Sequence, residues 1–267
     1  MTRSESGFRR ARFTVAYPGA PASEPIQRDV ILEAPISIEY NGIGYAVMMA
    51  TPTDLPDYVL GFSLSERLIE SASDLLGVDI HQAGNGWIVR AQLPADRLTK
   101  VVDRARQRVS EGSCGLCGMD NLAEVMRPLP PVTARLTVPM DAVFSALDRL
   151  RDHQPLNRAT GAAHAAAFCA ADGVICMVRE DVGRHNALDK LLGALAAAKI
   201  DVGGGFLLLS ARCSFELVQK AILANCPLLV TISAATGLAI DLAASHGLRL
   251  ISLARSDAAL VASPQSG

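Results

Sequence analysis

The stretch GFLLLSARCSFELVQKAILANCPLLVTISAATGLAIDLAASHGLRLISL, running from Gly205 to Leu253, decides the fold class. Residues 206–209, 228–232 and 248–253 are short apolar runs and read as strands with no solvated face. Residues 215–224 and 238–245 lie between them and carry apolar side chains at helical spacing. Strictly alternating strands and helices with short links predict an α/β fold, a parallel sheet covered by helices. In such sheets ligands bind outside the carboxyl ends of the strands. The first end runs into Ser210-Ala211-Arg212-Cys213-Ser214, the second into Ser233-Ala234-Ala235-Thr236-Gly237. Arg212 suits a phosphate, because a guanidinium binds it bidentately. Ser214 and Thr236 have two roles open: capping the helices that follow, or facing a shared crevice. Glu216 and Lys220 are four apart and are placed to pair on one helix. Gly203-Gly204-Gly205 precedes a strand and reads as a turn, not a phosphate cradle.

Upstream, Glu180-Asp181-Val182-Gly183-Arg184-His185-Asn186-Ala187-Leu188-Asp189-Lys190 sets dense polarity between an apolar strand and an apolar helix over residues 184–198. It is either a capped, solvated helix start or an anion site. In the second case Arg184 and Lys190 supply charge, His185 contacts the ligand and the helix N-terminus offers free N–H groups. Residues 162–170 and 174–178 flank Asp172-Gly173 as a hairpin, and His164 is placed to line the crevice or to satisfy a local hydrogen bond. Nearer the start, residues 30–40 and 43–50 read as strands around Asn41-Gly42, residues 57–70 as a helix and 87–93 as a strand. A helix opened by Pro94 carries Leu98, Val101, Val102, Ala105 and Val109 on one stripe. Pro128, Pro130 and Pro131 mark a linker, and Pro139 opens the next helix. Residues 1–28 read as irregular. The implied division is an irregular segment 1–28, an N-terminal α+β domain 29–127 and an α/β domain 128–267.

With 267 residues, half of them hydrophobic, the chain can bury a substantial core. A net charge of -2 argues against non-specific nucleic-acid binding. Arg9-Arg10 reads as a solvated terminus rather than an export signal, since no apolar segment follows, and no apolar run is long enough to span a membrane. The expectation is a soluble, cytoplasmic protein with reduced thiols. Six cysteines are present. Cys169, Cys176, Cys213 and Cys226 lie in or beside apolar elements and suit core packing. Cys114 and Cys117 differ, standing in Ser113-Cys114-Gly115-Leu116-Cys117-Gly118 between flexible glycines. Such a pair cycles through a disulfide, binds zinc or carries sulfur as a persulfide. Structural zinc usually takes four ligands, and only one such pair is present.

Several strings together resemble one family. Residues 113–118, Thr160-Gly161-Ala162-Ala163-His164, the 180–190 strip, 210–221 and 233–243 are similar, in order and spacing, to motifs of the FdhD family of formate dehydrogenase accessory sulfurtransferases. Asn41-Gly42, Thr51-Pro52 and the segment from Gly61 to Glu66 resemble its N-terminal half. The resemblance runs from about residue 29 to 255, with Ala211 where glycine is usual and Ala235 where proline is usual. It implies a cytidine-deaminase-like three-layer C-terminal domain, a smaller α+β N-terminal domain and a homodimer. It further implies a sulfurtransferase that takes sulfur from a cysteine desulfurase and passes it to the molybdenum (or tungsten) bis-guanine-dinucleotide cofactor, Mo-bis(molybdopterin guanine dinucleotide), serving formate dehydrogenase. Cys114 matches the persulfide carrier and Cys117 its helper. Leu253, Ala254, Arg255, Ser256, Asp257 and Ala258 align with a cofactor-binding segment, and Arg184, His185, Arg212, Ser214 and Thr236 join them as expected cofactor ligands. No resident metal, nucleic acid or membrane is expected. The alternative is a cofactor-binding chaperone without sulfur transfer.

Overall fold

The computed structural model describes residues 6–19, 24–109 and 127–262. Cys114 and Cys117 lie outside the described residues. The chain opens with β1 (Phe8–Thr14) and β2 (Pro25–Ile31), an antiparallel ribbon pairing Phe8 with Ile31 and Phe13 with Ile26. This replaces the irregular segment expected over 1–28. The arginines at 9, 10 and 12 mask the alternation, and the connection is too long to read as a hairpin turn despite Pro18-Gly19 within it.

Strands β3 (Ala34–Tyr40) and β4 (Ile43–Ala50) form a hairpin through Asn41-Gly42, both at positive φ as a type I′ turn requires. The Asn41 side chain accepts from Leu93 N–H (2.8 Å) and donates to Leu93 C=O (3.0 Å), fixing the turn against the end of the neighbouring strand. The single strand expected over 30–40 is broken, because residues up to Ile31 pair with β1 and those from Ala34 pair with β4. Helix α1 (Leu55–Ser65) is followed by β5 (Gly77–Ala83), β6 (Gly86–Gln92) and α2 (Leu98–Val109). The four-stranded order is β4-β3-β6-β5, with β3 and β6 parallel. Strand β5 was missed in the sequence, since only Val78 and Ile80 mark its apolar face before Gln82 interrupts it, too short an alternation to stand out. Helix α1 stops five residues short of the expected 70: Arg67 turns left-handed, and Leu68 and Ile69 donate to Ser63 C=O, tucking both side chains into the core.

The second half contains α3 (Met140–Leu150), α4 (Pro155–Thr160), β7 (His164–Ala170), β8 (Ile175–Asp181), α5 (Arg184–Ala197), β9 (Gly205–Leu209), α6 (Phe215–Leu223), β10 (Leu228–Thr231), α7 (Gly237–His246), β11 (Arg249–Ser252) and β12 (Leu260–Val261). The strands order β12-β11-β10-β9-β7-β8. Strands β9, β10 and β11 run parallel, whereas β7 is antiparallel to both its neighbours. Leu188, Leu191, Leu217 and Val218 of α5 and α6 pack on one face against Leu207, Leu209 and Leu229. Val143, Ala146 and Leu150 of α3 cover the other face against Phe206, Leu208 and Val230. The result is three layers, and all five residues of β9 are buried, as an uninterrupted apolar run requires. Cys169, Cys213 and Cys226 are buried in this core, which pushes each thiol up to about 12. Cys176, expected in the core, is exposed on β8. Among the described residues no helix is long and apolar enough to cross a membrane.

Close helix packing and a buried polar knot join the halves, with the Arg179–Asp57 ion pair (2.7 Å) beside them. Helices α1 and α5 meet at backbone contact: a Cβ on Gly61 would collide with the Asp189 carbonyl, and one on Gly193 with the Asp57 carbonyl. Beside them lies an ion pair at zero exposure, Lys190 Nζ to Asp181 Oδ2 at 2.7 Å. Lys190 also donates to Thr51 C=O (2.8 Å), and Asp181 accepts from the N–H groups of Thr51 (3.0 Å) and Gly183 (2.7 Å). Asn186 completes the knot, donating to Asp181 Oδ1 (3.0 Å) and Met49 C=O (2.9 Å) while accepting from the Tyr58 hydroxyl (3.0 Å). Overpacking a rigid contact costs about 1–3 kcal/mol or more, so urea unfolding of Gly61→Ala and Gly193→Ala should each lose stability at the upper end of that range. Breaking one side of a buried pair costs about 3–5 kcal/mol. Lys190→Met should lose that much, and Asp181→Asn combined with Lys190→Met should lose less, measured as denaturation midpoints.

Candidate functional site

The 180–190 strip divides by burial into residues that build the protein and residues that face outward. The Glu180 carboxylate caps α4, accepting from Leu156 and Asn157 N–H at 2.8 Å each; burial nonetheless raises its pKa. Asp181, Asn186 and Lys190 belong to the internal knot. Lys190 therefore supplies no charge to a ligand, contrary to the anion-site expectation. Asp189, almost fully buried, binds Lys220 Nζ at 2.6 and 2.7 Å and accepts from the Ser65 hydroxyl at 2.7 Å. That leaves Arg184 and His185, the first two residues of α5.

Both line a cavity of about 790 Å³ enclosed by β4, α1, α5 and α6. Val47, Met48, Met49 and Phe62 give it an apolar wall, while Arg67, Arg184, His185, Glu216 and Lys220 give it a charged one. Ala105 near the end of α2 and Arg127 also line it. These two residues flank the 110–126 stretch in sequence, Ala105 a few positions before it and Arg127 directly after it. Arg184 Nε is buried within the protein without a hydrogen-bond partner.

His185 Nε2 lies 2.9 Å from Glu216 Oε2, and the Ser214 hydroxyl donates to the same oxygen at 3.2 Å. The bond from His185 is the main reason the Glu216 carboxyl falls to about 2; burial opposes it. The pairing expected between Glu216 and Lys220 does not form, because each finds a partner on α5 instead. Ser214 makes no cap bond, so of its two open roles the structure takes the one facing His185. Thr236 takes the other: its Oγ1 accepts from Ala239 N–H at 3.3 Å and caps α7. His164, at the start of β7, has its pKa lowered by burial first and by Arg184 next; Asp181 opposes this, and His185 and Arg212 add smaller downward effects. Arg184 and Arg212 thus act on one electropositive region at the strand ends.

The loops after the parallel strands are tied in series. Cys213 N–H donates to Ala234 C=O (3.0 Å), Thr236 N–H to Cys213 C=O (3.1 Å) and Leu253 N–H to Ser233 C=O (3.2 Å). Leu253 has a left-handed backbone, Ala254 is buried, and Arg255, Ser256, Asp257 and Ala258 form an exposed turn closed by Arg255 N–H to Ala258 C=O at 2.8 Å. The expected ligands therefore fall into two sets: Arg184, His185 and Ser214 with Glu216 at the cavity, and Arg212, Thr236 and residues 253–258 along the joined loops. Glu216 was legible only as half of a helical pair, since its partner lies 31 residues upstream. No group of three or more His, Cys, Asp or Glu side chains suited to a metal occurs among the described residues.

The sequence matches the FdhD/NarQ family over residues 31–266. It is 45% identical over 244 residues to the sulfur carrier protein FdhD of Xanthomonas euvesicatoria pv. vesicatoria, covering 91% of this chain and 87% of that protein. It is 44% identical over 234 residues to the protein of the same name from Bordetella petrii, covering 87% of this chain and 84% of that one. The crystal structure of a candidate formate dehydrogenase accessory protein from Desulfotalea psychrophila superposes with a TM-score of 0.74 at 20% identity, covering 97% of this chain and 98% of that one, and so shares the fold. On the length and identity of these matches, the chain belongs to the FdhD/NarQ family.

Proposed function

We propose that this protein is a sulfur carrier acting as a sulfurtransferase: it takes sulfur from a cysteine desulfurase as a persulfide on Cys114 and passes it to a molybdenum or tungsten bis-guanine-dinucleotide cofactor destined for formate dehydrogenase. The observation that carries this reading is that Ala105 and Arg127, on either side of the cysteine segment, line the same cavity as Arg184 and His185. Family membership and the relatives' names support it. Nucleophilic sulfur chemistry needs a thiolate. Arg67, Arg127 and Arg184 around the cavity supply positive charge that favours one, whereas Glu111 and Asp120 next to the thiols in sequence oppose it.

In this relay Cys114 attacks the desulfurase persulfide and takes its outer sulfur. The client cofactor's phosphates dock at Arg184 and Arg212, with Ser214, Thr236 and the turn at 253–258 along the same joined loops. Cys117 then attacks the inner sulfur and frees the outer one. We read the division near residue 128 as a domain boundary. The strand order β8-β7-β9-β10-β11, with β7 alone antiparallel to its neighbours, supports a cytidine-deaminase-like assignment for the second domain. The working unit in this reading is a cytoplasmic homodimer.

Incubation with a desulfurase and labelled cysteine should add one sulfur mass to the parent and none to Cys114→Ala; equal loading of both refutes the carrier assignment. A Cys114→Ala, Cys117→Ala protein that still supports full formate oxidation favours a cofactor chaperone instead. The docking half of the reading is tested by pH. His164 titrates below the ordinary 6.5, so its protonation opposes folding: the cost is absent above 6.5, grows as pH falls from 6.5 to the folded value and is complete below it. Guanosine diphosphate bound between Arg184 and Arg212 adds negative charge and should raise the His164 pKa in an imidazole NMR titration; an unmoved value argues against phosphate docking there.

A further inference from the structure

The β1–β2 ribbon takes no part in the cavity, and its charge runs against that of the whole chain. Its two strands carry Arg9, Arg10, Arg12 and Arg28 against a single acid, Asp29, in a protein of net charge -2. They hold no lysine. The base of the ribbon is seated: Leu32 N–H donates to Gly7 C=O at 2.8 Å, and Gly7 lies against the side chains of Thr51, Thr53 and Leu156. Away from that base the strands become more exposed. Their register has no shift, so alternate residues share a face. One face sets Arg10 opposite Asp29 and Arg12 opposite Gln27, and Arg10 has its acid at 3.5 Å. The other sets Arg9 opposite Val30, Ala11 opposite Arg28 and Phe13 opposite Ile26. No Asp or Glu stands on this second face of the paired strands, and neither Arg9 nor Arg28 makes an ion pair with another described residue. Phe13 and Ile26 confront each other in water, 45% and 39% exposed.

We propose that this second face is a docking arm for a protein partner whose contacting surface is acidic around an apolar side chain. Arginine and aromatic residues are enriched where proteins meet, while lysine and acids are depleted there. The Phe13–Ile26 pair offers a large apolar anchor, and the stems of Arg9 and Arg28 lie along the same strip. Partner carboxylates bind the two guanidinium groups by charge-assisted, bidentate hydrogen bonds. The rest of the chain is more acidic than the ribbon and turns such a partner away, so the ribbon directs the approach. Other occupants match the face less well. A nucleic-acid backbone is held by ~6–10 phosphate contacts and an anionic membrane by clusters of ~4–8 Lys or Arg, whereas this face offers two cations. A second copy in a two-fold contact would bring Arg9 and Arg28 against themselves, with no acid on the face to meet them. The strands span only about 23 Å at ~3.3 Å per residue, so the contact is small and of the transient kind. The inference goes beyond the sulfur-carrier reading, which supplies the probes and not the surface.

The test compares equal charge changes on the two faces. Binding of the full chain to a purified cysteine desulfurase and to cofactor-free formate dehydrogenase is measured by calorimetry. The parent should bind one of them, and more weakly as salt rises from about 50 to about 500 mM. Arg9→Glu and Arg28→Glu should each weaken that binding about tenfold or more, and Phe13→Ser about tenfold. Arg12→Glu, the same reversal on the opposite face, should stay within about twofold. Thermal midpoints check that each variant is folded; should Phe13→Ser lose the ribbon, the reversals at the exposed arginines still decide. Parental affinity in Arg9→Glu and Arg28→Glu overturns the docking arm. So does an equal loss in Arg12→Glu, which would show diffuse attraction rather than a face. A dimer dissociated by Arg28→Glu in sedimentation gives the face to a second copy, and loss of binding to phosphatidylglycerol vesicles gives it to a membrane; either overturns the proposal. A parent that binds neither protein overturns it as well. The sulfur-carrier reading is decided separately, by the mass added on loading.

Discussion

Two opposite charges at zero exposure, Asp181 and Lys190, fix where everything else can go. Neither is tolerable alone in an apolar interior, so each must keep the other and must fill its remaining valences. They do so with the backbone of Thr51 and Gly183 and with Asn186. The donors and acceptors come from both halves of the chain, so the charges are satisfied only when β4 and the start of α1 dock against β8 and α5. The pair therefore specifies the docking geometry, whatever its net contribution to stability.

The glycines at 61 and 193 make that geometry reachable. With no Cβ at either position, α1 and α5 approach to backbone contact. Asp189 then comes within reach of Ser65, and the β4 edge comes within reach of α6. The cavity is what remains between the two docked halves beyond the helix contact. Its apolar wall belongs to the first half and most of its charged wall to the second, so neither half alone could form it. Arg184 and His185 are held at the N-terminus of α5 by the same knot that Asp181 and Asn186 tie a few residues away.

The parallel sheet was readable from residues 205–253, because buried strands and amphipathic helices leave different periodicities. The 41–42 turn, the hairpin at Gly173 and the helix opened by Pro139 were readable for the same local reasons. What escaped was set by distant partners. Lys190 looks like a ligand cation in sequence and becomes a structural one only because Asp181 and Thr51 meet it. Glu216 and Lys220 look like a helical pair until α5 offers each a better partner. Strand β5, with only Val78 and Ile80 on its inner face, and the arginine-broken β1–β2 ribbon carry too little alternation, so pairing rather than pattern defines them. The cysteine segment stood out in sequence through chemistry alone, and its neighbours Ala105 and Arg127 gained meaning only when the fold placed both on one cavity wall.

The three deeply buried thiols have a consequence for sulfur traffic. A thiol titrating near 12 is ionised to roughly one part in 10⁵ at neutral pH. Cys169, Cys213 and Cys226 are thereby insulated from electrophilic sulfur, and the hydrophobic interior works as a chemical resist around whatever thiol is meant to react. On the proposed carrier reading, a protein with six cysteines gains selectivity from its core packing as much as from the loop at 113–118. Dense aliphatic layers around β7 and β9 would, in that reading, keep sulfane exchange away from these three buried thiols.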